Sequence, residues 1–336
     1  MFHSWRAWTW AVLFPLLAAL CSSAIAEDAI AQWRALDPVL AARVLALSPE
    51  RITDVEVRET LSHTPAPRVI AIEGSLALVS MRPFAEFLVA MGYPEDRLRN
   101  PRDGNLSQGS FTDSARLAGE IAWYYEHDGM MPVLIGHSQG GMLAVRALYE
   151  LAGEFASAIP VWDPVRDEPL PRTTIRDPLT GATRPVVGLK VGYAAALATG
   201  KLPRVLLGQW TMLPRLRRIP DSVEEFTGFT IPGDLIAGNL FGDEPYRATG
   251  NAEVRNVTLP GSYSHIGLPR MRHLAAQAST RQWIDEYAPA EPPPPLPAHS
   301  GVDTSNLVHA ADIWHDVKKR WCLEAQRAIR AANVAP

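Results

Sequence analysis

The sequence predicts an α/β protein, with a mostly parallel central sheet and helices on both of its faces. Three observations carry that expectation. Residues 68–72 (Arg-Val-Ile-Ala-Ile) and 132–135 (Pro-Val-Leu-Ile) are short, continuous apolar runs, the pattern of strands buried on both faces; a strand with one wet face would alternate instead. Stretches whose apolar residues fall at helical spacing separate such runs, as the crossovers between parallel strands require. The 336 residues are 47% apolar and 20% charged, which supplies a large core and excludes intrinsic disorder.

Along the chain, Trp33, Leu36, Val39, Leu40 and Val44 fall at helical spacing, and residues 54–58 alternate as a strand would. Pro65 and Pro67 end that segment before the buried strand at 68–72. Residues 82–91 read as a helix stopped by Gly92, followed by a loop rich in Pro, Asn, Asp and Gly over 92–110. The next helix is punctuated at both ends: Thr112 or Asp113 caps it, 115–126 forms its body and Gly129 stops it. A second buried strand at 132–135 leads to a helix over 142–151, and 158–162 is a third apolar run.

Residues 166–225 depart from the alternation. Their apolar patches, 186–197 and 205–216, are bounded by Pro and Gly, and read either as a cap inserted over the sheet or as another helix pair packed on it. Strand character returns at 226–231 and 252–259, and a helix closes at 283–287. The main domain thus spans 27–288. The proline-rich run 289–301 is a stiff extended linker, and 302–336 holds one amphipathic helix carrying Trp314, Val317, Trp321 and Ile329.

The first 26 residues read as a secretory signal: Arg6 is the sole firm charge, 7–20 is mostly apolar, and Ala24-Ile25-Ala26 fits an A-x-A cleavage site. The apolar run is shorter than the roughly 20 residues of a spanning helix and contains Pro15, which favours cleavage near Ala26 over anchoring. Bulky Leu20 argues against Cys21 as a lipoprotein acceptor. The mature chain is therefore expected outside the cytoplasm, periplasmic or secreted. Its formal charge becomes 31 minus 36, or −5, which argues against a nucleic-acid partner. Cys322 remains as the lone cysteine, so no intramolecular disulfide supports the fold.

Residues 136–140 read Gly-His-Ser-Gln-Gly, a G-x-S-x-G motif with a buried strand before it and a helix after it. That context makes steric sense. A strand turning sharply into a helix holds Ser138 strained and exposed, and Gly136 and Gly140 leave room for the close approach. The helix N-terminus beside it favours developing negative charge. With this motif the chain resembles the α/β-hydrolase family, in particular its lipases and esterases, over roughly residues 69–283. The resemblance implies an α/β-hydrolase fold with an inserted lid, and a triad of Ser, acid and His in that chain order.

A hydroxyl needs a positioned base before it attacks an ester, and His265, in a loop directly after a strand, fits that role. Asp234, also just after a strand, stands where the resemblance places the acid, and Asp163 is the alternative because Ile159-Pro-Val-Trp-Asp163 also closes an apolar run. The acid would fix the imidazole tautomer and stabilise the imidazolium. Oxyanion donors would be the amide of Gln139 and one from the loop after the first buried strand, Ser75 or Leu76. Glu73 stands there where the family usually shows His-Gly.

No H-e-x-x-H or C-x-x-C spacing, dinucleotide fingerprint or P-loop is present, so cofactor-free chemistry is expected, without a metal. The expected activity is hydrolysis of carboxylic esters, small-molecule or lipid, with transient contact to a membrane or lipid surface. An acyltransferase or thioesterase using the same triad, and a non-catalytic binding protein on a hydrolase scaffold, remain alternatives.

Overall fold

The structure, a computed structural model, describes residues 29–75, 79–238, 244–297 and 301–334. The expected signal segment and Leu76 lie outside these residues. Five parallel strands form the central sheet: β1 (Val69–Ile72), β2 (Val133–His137), β3 (Val191–Leu197), β4 (Val223–Thr230) and β5 (Glu253–Thr258), each paired with the next in that order. Their side chains alternate between two cores. Val69, Ala71, Ile135, Tyr193, Ala195 and Phe229 face one core, where the helices Arg82–Ala90, Ala278–Glu286 and Leu307–Val334 pack. Ile70, Ile72, Leu134, Ala194, Ala196 and Phe226 face the other, under Ser114–Asp128 and Gln139–Leu151. Burial on both faces is the condition that made the apolar runs continuous.

Three expectations are corrected. Residues 54–58 are helical, not extended. Thr53 accepts from the Glu56 amide while the Glu56 carboxylate accepts from the Thr53 amide, a capping box that starts a helix over Asp54–Glu59 and outweighs a short alternation. The run 158–162 adds no strand to the central sheet, because it ends in a two-residue ribbon, Trp162–Asp163 paired with Glu168–Pro169.

The third correction concerns 166–225, which is not one insertion. All seven residues of β3 are buried in the middle of the sheet, and β4 begins inside the same interval. Between those strands stand the short helix Leu202–Leu206, the turn at Trp210–Met212 and the two-residue strand Arg218–Ile219, which pairs with Arg247–Ala248 outside the central sheet. β3 is alanine-rich because the neighbouring helix comes close: a Cβ on Gly141 would lie 3.1 Å from the Ala196 Cβ.

The last helix belongs to the main core. Trp314, Val317, Trp321 and Cys322 are completely buried against the first face of the sheet, and the Trp321 indole donates to the Pro65 carbonyl at 2.9 Å. Burial pushes the Cys322 thiol up to about 12, which leaves it unreactive. Arg255 on β5 binds this helix, pairing with Asp312 at 2.5 Å and Asp316 at 2.6 Å.

The two acids titrate in opposite directions. Burial pushes both up, and for Asp312 it prevails. For Asp316, His315 and Arg255 outweigh it and hold the carboxyl below the usual range. The Asp316 contribution to stability is therefore full above its unfolded pKa and lost as pH falls through the folded one; the Asp312 contribution is full below its unfolded pKa and lost as pH rises. Arg255→Met removes the guanidinium that both acids share and leaves them only His315, Thr227 and Tyr287, so thermal melts are expected to show a loss of about 3 kcal/mol near neutral pH. The loss should shrink below about pH 4, as the acids take up protons. An equal loss at both pH values would refute this assignment.

Candidate active site

The loops leaving β2, β4 and β5 carry Ser138, Asp234 and His265, and all emerge at the carboxyl end of the parallel sheet, where α/β folds place their crevices. Ser138 holds a positive φ that side chains rarely adopt, with φ 51 and ψ −110. The surroundings enforce that strain. Its amide donates to the Leu197 carbonyl at 2.8 Å, and its own carbonyl accepts from the Thr199 hydroxyl at 2.9 Å. A Cβ on Gly136 would meet the Gly140 backbone at 2.3 Å, and one on Gly140 would meet the Ile72 carbonyl at 2.3 Å. The two motif glycines are thus required by close backbone approach.

Asp234 and His265 are brought together. Asp234 Oδ2 lies 2.6 Å from His265 Nδ1, and Oδ1 accepts from the Ile236 and Ala237 amides, both at 3.0 Å. Burial alone would raise this carboxyl, but the imidazole and the two amides outweigh it and hold Asp234 below the usual carboxylate range. An ionised Asp234 only accepts, so His265 carries its proton on Nδ1 and leaves Nε2 as an acceptor. Asp163, the alternative acid, is not brought to His265. Its Oδ1 instead caps a turn, accepting from the Val165 and Arg166 amides at 2.8 and 3.1 Å.

Gln139 opens the helix after Ser138 and is buried. Its side-chain oxygen accepts from Arg204, a residue that sequence reading did not single out. Arg204 is fully buried and also donates to Gln209 at 2.6 Å; Nε and Nη2 find no partner among the described residues. Burial pushes its pKa down to about 10, so the guanidinium stays charged at neutral pH, beside the candidate oxyanion donor. Ser75 and Gly74 line the same cleft as Ser138. Glu73 leaves this loop intact: it accepts from Ser107 at 3.0 Å, and its amide donates to the Gln108 carbonyl at 3.0 Å.

His137 was also missed, since the motif leaves its position variable. It is buried, and its Nε2 lies 2.8 Å from the His265 carbonyl oxygen. Burial first, then repulsion from His265, pushes its pKa down to about 3, so it is neutral in the working range. Neither long-range contact leaves a local signal in the sequence.

The cleft over Ser138 and His265 holds about 200 Å³, and its walls are Val79, Pro203, Leu206, Leu207 and Ile236. Of these walls Leu206 is 76% exposed, and Leu235, next to Ile236 in the chain, is 67% exposed. A larger cavity, about 570 Å³, lies at the amino end of β4 and β5 among Glu225, Arg255 and Lys319, charges that are paired with one another or with neighbouring side chains. Among the described residues no cluster of His, Cys, Asp and Glu is arranged to hold a metal ion, and no helix is long and apolar enough to cross a membrane. Comparison with protein-family models, curated proteins and solved structures finds no match to this chain.

Proposed function

We propose that this protein is an exported serine hydrolase of the α/β-hydrolase fold that cleaves carboxylic esters with an apolar acyl chain. The observation that carries the reading is the Asp234–His265 pair at 2.6 Å sharing a sheet end and a cleft with the strained Ser138. Ser138 Oγ attacks the ester carbonyl and His265 Nε2 takes its proton. Asp234 holds the imidazole tautomer and stabilises the imidazolium that forms. The Gln139 and Ser75 amides receive the oxyanion, and the buried Arg204 charge favours it. His265 then protonates the leaving alcohol, and water repeats the sequence on the acyl-enzyme. The apolar walls seat the acyl chain, and Leu206, a wall residue that is largely exposed, suits lipid esters presented at a surface.

The acid assignment gives a test on p-nitrophenyl esters. Asp234→Asn is expected to lower kcat by about 10⁴ with the fold intact, the scale seen when a serine protease loses its orienting carboxylate. Asp163→Asn should stay within about threefold of wild type, as expected for a surface turn. If the second variant is the inactive one, the triad is wrongly assigned.

A further inference from the structure

We infer that His137 is the positioning residue for the base, tying the backbone of His265 to the last residue of β2. The inference rests on the hydrolase reading above and adds a part that the G-x-S-x-G motif does not contain.

The geometry involves three pieces of the site at once. His137 Nε2 is 2.8 Å from the His265 carbonyl oxygen. A carbonyl only accepts, so the proton sits on Nε2 and the imidazole donates. The two rings also pack edge to face, with centroids 4.9 Å apart and an interplanar angle of 63°. On its other side the His137 ring closes against the loop that carries Ser75: a Cβ on Gly74 would come within 2.9 Å of Nδ1. That Nδ1 is buried without a partner among the described residues.

A residue whose work was only to fill space here would be apolar, because burying an imidazole with one nitrogen unpartnered costs stability. The contact it makes supplies the reason for a polar one. His265 lies in an irregular loop after β5, held locally by turn bonds such as Gly267 N–H to the Ser264 carbonyl at 2.9 Å. Asp234 fixes the rotation of the imidazole, but nothing in that pair fixes how far the His265 backbone stands from Ser138. His137 is adjacent to Ser138 in the chain and bonded to His265 through space, so it sets that separation directly. Base placement matters because a displacement of about 1 Å costs about 10²-fold in rate.

The test uses the full chain with four variants: His137→Phe, His137→Gln, His137→Asn and Ser138→Ala. His137→Phe keeps ring volume and removes the donor. It is expected to lower kcat for p-nitrophenyl butyrate about 10–100-fold, with KM changed less than about twofold, since phenylalanine keeps the ring that His137 contributes to the cleft lining and the apolar walls are unchanged. His137→Gln returns an N–H of similar reach and should recover most of that loss, whereas the shorter Asn should not. A purely structural role would move melting temperature without this split of kcat from KM or this ordering of Gln over Asn. A folded Phe variant with wild-type kcat overturns the inference. Equal rates for Gln and Asn do so too, even if the Phe variant fails to fold. If wild type shows no turnover that Ser138→Ala removes, the hydrolase reading falls and takes this inference with it; if it does, only the His137 assignment is at stake.

Discussion

Ser138→Ala should leave a folded protein that no longer turns over esters, with kcat reduced by about 10⁴ or more, because a triad works as a unit once its nucleophile is gone. The fold should survive because little holds the hydroxyl itself. The strained φ of 51 is maintained by backbone and neighbour bonds, from the Ser138 amide to Leu197 and from Thr199 to the Ser138 carbonyl, and alanine keeps all of them. The measurements are a fluorophosphonate probe and a p-nitrophenyl ester panel of short to long acyl chains. Labelling should disappear with the hydroxyl, and wild-type rates should favour acyl chains that fit a cleft of about 200 Å³. Labelling that persists in the alanine variant would place the nucleophile elsewhere.

Removing residues 302–336 should prevent folding altogether. The helix Leu307–Val334 buries Trp314 and Trp321 completely, and each indole removes about 150–250 Å² from water, or roughly 4–6 kcal/mol at 25 cal/mol per Å². Those two side chains alone match the about 5–15 kcal/mol by which most domains are stable. The truncated chain would also expose β1 and β3 on the face this helix covers. Solubility and circular dichroism of the truncated chain decide the matter: a soluble, ester-cleaving fragment would show that the helix is dispensable. Trp321→Ala gives a graded version, losing about 3–5 kcal/mol and lowering the melting temperature by about 10 °C.

What could be read from the sequence was what local physics decides. The helix over Ser114–Asp128 was bracketed because Asp113 accepts from the Ala115 and Arg116 amides and Gly129 takes φ 70, both features of residue type at a fixed position. Gly136, Ser138 and Gly140 were legible for the same reason: a close backbone crossing demands particular residues at particular spacing. β3 was not legible as a strand because close packing against a helix on one face selects alanine, which has little β preference of its own. Residues 54–58 went the other way, with a cap deciding the conformation against the apolar alternation. Arg204 and His137 act through partners 65 and 128 residues away, and no window of sequence contains both members of such a pair.

The bond from the Trp321 indole to Pro65 joins residues 256 positions apart, next to the first strand of the sheet. The helices Arg82–Ala90 and Ala278–Glu286 cover that face of the sheet only in part, and its apolar cover is complete only once the chain has been made through the helix Leu307–Val334. During synthesis the earlier strands wait with part of their hydrophobic surface bare, and non-local closures of this kind are slow. Native packing of that face then arrives in a late step that docks this helix, and the waiting chain is the species most exposed to aggregation and to chaperones.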